Sequence, residues 1–356
     1  MKAIVLCAGL GTRLRPLTFS TAKHLIPVAN KPVLFFGIES LVAVGAREIG
    51  VIVSKDSHNV IRNALDDGQR WGAQVTYIDQ PQPRGLAHAA QCAESFIGTE
   101  PFVMYLGDNL LPEGLTGAAE RFRATGANAV VMLKAVDDPS AFGIAEVDGE
   151  RIVRLVEKPK HPTSNLAIVG GYVFDHNIFE SIRRIKPSWR NEFEITDAIQ
   201  NLIDRGLNVV PYVVHGWWKD TGKPGDILDA NRVLLDMLTP AVRGKVDAES
   251  RLDGTVVIGE GAEVINSTIR GPVIIGSEAR LVDAQVGPYV SLGDRVHVID
   301  ARIENSVVMD DSLLEHVPQP IAGSLIGRQV KITGSAAAAP ATLRLLLGDF
   351  CETGLT

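Results

Sequence analysis

The stretch Lys2-Ala-Ile-Val-Leu-Cys7, followed at once by Ala8-Gly9-Leu10-Gly11-Thr12-Arg13-Leu14-Arg15-Pro16-Leu17-Thr18, decides how the N-terminal part of this chain is read. Ile4, Val5 and Leu6 form a short apolar run suited to a buried strand. Gly9 and Gly11 then permit backbone angles and close approaches that a side chain forbids. Amides of such a loop can face phosphate oxygens, and Arg13, Arg15 and Lys23 add positive charge beside them. A glycine-rich turn with cations after a first strand reads as a polyphosphate site. A plain chain reversal is the competing reading, because the stretch is neither G-x-x-x-x-G-K-[ST] nor a complete G-x-G-x-x-G.

Outward from this loop the chain keeps alternating. Residues 51–53, 75–78, 102–106 and 129–133 are short apolar runs suited to strands buried on both faces. Residues 32–44, 86–96 and 113–123 can form helices between them. The alternation predicts an α/β domain over 1–240 with a doubly wound, mostly parallel, Rossmann-like sheet. Ligands of such sheets bind beyond the carboxyl ends of the strands, where the glycine loop, Gln80 and Gly107-Asp108-Asn109 fall.

Beyond Val246 the rhythm changes. Ile258, Ile275, Leu292, Met309 and Ile326 stand seventeen residues apart, as do Val264, Leu281 and Val298, and Ile269, Val286 and Ile303. Within each unit the apolar positions step six, five, six. Three short strands per turn, each with one inward residue, predict a triangular parallel β-helix over 241–335; an antiparallel β domain with coincidental spacing is the alternative. The tail, 336–356, begins Ala-rich and goes on through Leu343-Arg-Leu-Leu-Leu-Gly-Asp-Phe350, and it either caps the coil or packs on another subunit. His297 and His316 stand isolated and read as surface residues.

With 356 residues, two domains are expected. A net charge of −7 argues against a general nucleic-acid binder. No apolar run approaches membrane-spanning length, and the N-terminal run is too short for a signal peptide. Cys7, Cys92 and Cys351 lie far apart without metal-type spacing, so a reducing, cytoplasmic setting is expected.

Asp108 follows one strand and Asp220, in Trp217-Trp218-Lys219-Asp220-Thr221-Gly222, ends another apolar segment. Two such carboxylates can converge on Mg²⁺, which takes a few carboxylates, waters and substrate phosphates; Gly107-Asp108 also reads as an ordinary turn. Glu157-Lys158-Pro159 supplies a further anion and cation, and Pro159 biases Lys158 toward an extended backbone.

Taken together, these pieces resemble the sugar-1-phosphate nucleotidyltransferases, most closely the glucose-1-phosphate thymidylyltransferases of the long, β-helix-bearing type. The resemblance rests on Gly9-Leu-Gly-Thr-Arg-Leu-Arg-Pro-Leu-Thr18, Ala22-Lys-His-Leu-Ile-Pro-Val-Ala-Asn-Lys-Pro32 and Pro83-Arg-Gly-Leu-Ala-His88. Gly107-Asp-Asn109, Glu157-Lys-Pro159, Glu192-Phe-Glu-Ile-Thr-Asp197 and Trp218-Lys-Asp-Thr-Gly222 complete it, all in the family's order. It implies a left-handed coil, and attack of glucose 1-phosphate on the α-phosphorus of dTTP, with UTP or another hexose phosphate as near alternatives. By the same resemblance Arg13 and Lys23 are catalytic. Leu6, Ala8, Gly9, Gly11, Thr12, Gln80, Gly85 and Asp108 bind the nucleotide. Gly143, Glu157, Lys158, Val169 and Arg190 bind the sugar phosphate, and Asp108 and Asp220 hold Mg²⁺. Homodimers or homotetramers are implied too.

The chain departs from the family pattern at Ala8, at His24 where Gln is common, at Phe142 where Tyr is common and at Asn191 where Gly is usual. None of these removes a catalytic charge. The presence of Arg13, Lys23, Asp108 and Asp220 argues against a non-catalytic, nucleotide-sugar-binding regulatory subunit. No His or Asn in the coil has a context that supports a second, acyl-transfer activity.

Overall fold

The computed structural model describes residues 1–334 and 342–355; the Ala-rich stretch 335–341 and residue 356 lie outside the described residues. The chain divides into two compact units, Met1–Leu10 with Val33–Asp220, and Gly11–Pro32 with Thr221–Thr356.

The first unit is built on a nine-stranded sheet. Phe102–Leu106, Lys2–Cys7, Glu48–Val53 and Gln74–Asp79 run parallel in that order. The first three are apolar almost throughout because both faces are covered. Antiparallel pairings gather around the long strand Leu166–Phe174, which meets Phe102–Leu106, Ala129–Ala135 and Gly143–Asp148. The sheet is therefore mixed, with the first strand in its parallel half. The expected helices appear as Val33–Ala43, as Leu86–Cys92 followed by Glu94–Ile97, and as Thr116–Thr125. The second is interrupted because Ala93 leaves the helical region, at φ −91° and ψ 1°. Stacked Phe102 and Phe179, with Phe174 beside them, fill the core on one side of the sheet.

The second unit contains the parallel coil, the left-handed β-helix of the sequence expectation. Val256–Ile258, Val273–Ile275, Val290–Leu292, Ser306–Val308 and Leu325–Ile326 stack in parallel register along one side. Ile258, Val264, Ile269 and their successors are buried inside. The seventeen-residue step fails at one layer: Leu292 lies opposite Val308, not Met309. The corner between Ile303 and Ser306 is one residue shorter than that between Val286 and Val290. Two residues enter at Pro318-Gln319-Pro320, since Ala301 pairs with Val317 but Ile303 with Ile321. Proline cannot donate to the ladder, so this segment bulges, and the register returns to Ile326. The described part of the tail extends the coil: Leu346–Leu347 pairs with Leu325–Ile326, and Glu352–Leu355 with Lys331–Gly334. Buried serines lock successive turns. Ser267, for instance, donates to Ile265 O and accepts from the Ala284 amide, and Ser324 does the same with Ala322 and Leu345.

The helix Pro224–Asp236 and the segment Gly11–Pro32 belong to this unit. Asn231, fully buried on that helix, accepts from the Ala29 amide at 2.8 Å and from Ser291 Oγ at 2.6 Å. Asn30 Nδ2 donates to Leu292 O, and Ser20 Oγ to Asp349. No described helix is long and apolar enough to cross a membrane.

Candidate active site

In the first unit the predicted residues cluster at strand ends. Leu6 and Ala8, both buried, close the first strand, and the Gly107 amide after the neighbouring strand donates to Leu6 O at 3.0 Å. Asp108 follows. The chain then forms the short strand Asn109–Leu110, which pairs antiparallel with Lys219–Asp220, Asp220 opposite Asn109. Two carboxylates separated by more than a hundred residues of sequence are thus brought to one corner, Asp220 inside the ladder opposite Asn109 and Asp108 one residue ahead of it.

Asn109, which the sequence reading gave no role, organises this corner. Its side chain is buried; Nδ2 donates to Asp108 Oδ1 at 3.0 Å and Oδ1 accepts from Trp218 Nε1 at 2.7 Å. Its carbonyl accepts from the Tyr105 hydroxyl, and burial pushes that phenol's pKa far up, so it stays a donor. A Cβ on Gly170 would lie 2.7 Å from Asn109 Cγ, so that position needs glycine. The Trp218 ring meets Phe142 edge-on at 5.2 Å, joining the carboxylate corner to the start of the sugar-phosphate segment. In the sequence the Gly170-Gly171 doublet, far from the Gly-Asp-Asn turn, signals only that some group approaches that strand closely.

Gly143 and Glu157 face each other across the hairpin Gly143–Asp148 and Arg151–Glu157. Glu157 Oε2 accepts from Thr196 Oγ1 at 3.2 Å. Burial raises its carboxyl pKa above the usual range, and Lys158 opposes the shift. Lys158 is not extended as Pro159 suggested: its φ is +43°. Its amide closes the hairpin by donating to Phe142 O at 3.1 Å, and this bond together with the turn into Pro159 overrides the local preference. Val169 is buried at the irregularity of strand Leu166–Phe174, between Ile168 and Tyr172. Arg190 is committed to carboxylates, reaching Glu157 and Glu194 at 3.4 Å and Glu192 at 3.1 Å. Asn191, in place of the family's Gly, takes φ +59°, a conformation Asn tolerates well.

Gln80, buried after strand Gln74–Asp79, donates through Nε2 to Gly85 O at 3.2 Å and contacts His88 Nδ1 at 3.0 Å. Gly85 has φ +99°, and a Cβ there would lie 2.6 Å from Phe193 O. The second unit holds Gly11, Thr12, Arg13 and Lys23. Gly11 is left-handed at φ +64°, its carbonyl accepts from Thr18 Oγ1 at 2.8 Å, and Arg13 stands exposed on the single 3-10 turn Thr12–Leu14.

The profile described as nucleotidyl transferase matches residues 2–237. The chain belongs to this family. It is 46% identical over 351 residues to a glucose-1-phosphate thymidylyltransferase of Streptomyces antibioticus, covering 98% of both chains. It is 45% identical over 350 residues to a protein of the same name from Streptomyces griseus, again covering 98% of each. A Bacillus anthracis structure, described as a candidate glucose-1-phosphate thymidylyltransferase in complex with a sucrose, superposes with a TM-score of 0.63 at 34% identity, over 68% of this chain and 98% of that one.

Among the described residues no three His, Cys, Asp or Glu side chains gather into a metal cage. Asp108 and Asp220 offer oxygen donors only. A hard cation that takes one or two carboxylates and leaves room for water and phosphate, as Mg²⁺ does, fits that donor set.

Proposed function

We propose that this chain condenses dTTP with α-D-glucose 1-phosphate to give dTDP-glucose and pyrophosphate. The observation that carries the reading is the register of the short ladder, which puts Asp220 opposite Asn109 and so beside Asp108, in a chain alike over nearly its whole length to thymidylyltransferases of this sugar phosphate. A phosphate oxygen of the sugar phosphate attacks the α-phosphorus in line. The bond from that phosphorus to the α,β-bridging oxygen breaks, and pyrophosphate leaves with the electron pair.

The protein contributes position and charge more than a nucleophile. Arg13 and Lys23 neutralise the triphosphate and the departing pyrophosphate. Leu6, Ala8, Gly9, Gly11 and Thr12 line the nucleotide, and Gln80 and Gly85 meet the base. Glu157 accepts sugar hydroxyls, Gly143 and Val169 shape the sugar pocket, and Lys158 holds the sugar phosphate, with Arg190 steadying Glu157. Asp108 and Asp220 hold Mg²⁺, which when bound offsets phosphate charge. The enzyme works in the cytoplasm as a homodimer or homotetramer.

Purified protein given Mg²⁺, glucose 1-phosphate and either dTTP or UTP tests the reading by the rate of pyrophosphate release. Thymine and uracil differ by one methyl group, which supports modest discrimination. Faster release from UTP overturns the thymidylyl assignment, and no release from either nucleotide overturns the reaction.

A further inference from the structure

Gln80 can present either its oxygen or its nitrogen to a base, and its neighbours decide which. The Gly85 carbonyl can only accept, so the amide atom 3.2 Å from it is the –NH2 group. The same nitrogen lies 3.0 Å from His88 Nδ1. A donor there requires Nδ1 to be the unprotonated ring nitrogen, with the imidazole proton on Nε2. Both Gln80 N–H groups are then spent inside the protein, and Oε1, which accepts no hydrogen bond among the described residues, is left to face a ligand. The Gly85 N–H likewise has no acceptor among the described residues.

We propose that His88 is a positioning residue that sets the base preference of the site by locking the Gln80 amide with its oxygen outward. This rests on the nucleotidyl-transfer reading above. The site then offers one acceptor, Gln80 Oε1, beside one donor, Gly85 N–H. The complement is a ring N–H next to a carbonyl, the edge that thymine and uracil present. Cytosine presents an unprotonated ring nitrogen next to an amino group, so both contacts become clashes of like partners. Guanine carries the same N–H and carbonyl pair as thymine, and the size of its fused ring is what separates it.

The imidazole is suited to the role. Partial burial, with the Arg84 guanidinium nearby and a hydrogen bond to the Gln82 backbone opposing, depresses its pKa below the usual histidine value, which favours the neutral ring that has one nitrogen free to accept; the Gln80 contact places that nitrogen at Nδ1. His88 sits in the first turn of Leu86–Cys92, the helix that directly follows Gly85, and that turn is fixed by the Ala87 amide donating to Phe193 O at 3.1 Å and the Phe193 amide donating to Arg84 O at 2.8 Å.

The test uses the whole protein and a panel of dTTP and dCTP with glucose 1-phosphate. His88→Leu removes the acceptor, and KM for dTTP is expected to rise about tenfold with kcat and the KM for glucose 1-phosphate little changed, while the dTTP:dCTP ratio of kcat/KM falls about tenfold, the size expected for one weakened base contact. His88→Asn, whose Oδ1 can replace Nδ1 as acceptor, is expected to restore both. A His88→Leu enzyme that keeps the wild-type ratio overturns the role of His88. A wild-type enzyme that releases no pyrophosphate overturns instead the reaction on which it rests. The ring nitrogen shifts of His88 in ¹⁵N-labelled wild-type protein check the lock without any variant: the Nε2–H tautomer supports it and the Nδ1–H tautomer overturns it.

Discussion

The two regions that supply the proposed polar chemistry are held in opposite ways. In the first unit Asp108, Gln80, Gly143 and Glu157 lie at or just beyond the ends of hydrogen-bonded strands, and ladder register sets each backbone position. In the second unit Gly11–Pro32, with Arg13 and Lys23, contains single 3-10 turns and two-residue strands. It is fastened by side chains: Asn231 to Ala29, Asn30 to Leu292, Ser20 to Asp349. A position set by a ladder is shared among many backbone bonds and outlives the loss of one side chain. A position set by a buried tie depends on that tie.

The largest effect sharpens the first half of this contrast. Asp108→Asn should lower the rate of pyrophosphate release by ~10²–10³, the scale seen when one charge-stabilising group is removed from an active site. The melting temperature should hardly move, because the Asn109–Leu110 and Lys219–Asp220 pairing is made by backbone. Turnover at the wild-type rate would remove the carboxylate from the chemistry; a collapse in melting temperature would show that the ladder does not hold the corner.

The tied region should behave otherwise. Asn231→Leu leaves the Ala29 amide and the Ser291 hydroxyl without their acceptor. Each donor left unpaired costs about 1–3 kcal/mol, so urea unfolding should show a loss of about 2–6 kcal/mol for the two although Asn231 touches no proposed substrate group. A loss under about 0.5 kcal/mol, the size of an ordinary surface change, breaks the comparison. Gly85→Ala tests a third kind of support, a strained backbone. The left-handed φ and the close Phe193 carbonyl together should cost about 1–3 kcal/mol, and displacement of the turn should raise KM for dTTP more than it lowers kcat.

The same contrast explains what could be read from the sequence. Strand runs such as Ile4-Val5-Leu6 and the seventeen-residue apolar step carry their periodicity in consecutive residues, so both architectures were legible. The step misled only at Met309, where a corner lost one residue, a change that leaves no mark on an apolar pattern. Asp108 and Asp220 were legible as candidates through motifs, but their adjacency comes from a pairing of two-residue strands too short to show any period. Asn109, His88 and Asn231 act through side-chain hydrogen bonds that follow no period, and a lone polar residue in a sequence carries no sign of its partners. Lys158 went the other way: the local bias of Pro159 was real, and the bond to Phe142 outweighed it.

The smallest effect concerns the acidic cluster around Arg190. Burial raises the carboxyl pKa of Glu157, Glu194 and Asp197, and for Asp197 the neighbouring Glu194 adds to it. A carboxyl that holds its proton more tightly folded than unfolded favours the folded state only while it is protonated. As pH rises from the ordinary carboxylate range through the raised values, the unfolded chain loses these protons first and folding stability falls. Groups such as Asp311, held low by Arg295, act in the opposite sense at more acidic pH, so wild-type stability alone blends the two. The difference between wild type and Asp197→Asn isolates one member. The variant's advantage in unfolding free energy should be near zero at acid pH and grow as pH rises past the carboxylate range, by no more than about 1.4 kcal/mol for each tenfold tightening of the proton in the folded state. Proposed activity runs against stability here, because Glu157 must be ionised to accept sugar hydroxyls, so KM for glucose 1-phosphate should fall over the interval in which the fold weakens. An advantage for Asp197→Asn that shrinks with rising pH would mean that Arg190 and its neighbours stabilise the ionised cluster more than burial penalises it, and this part of the site would then resemble the ion-paired surface of the coil more than a buried pocket.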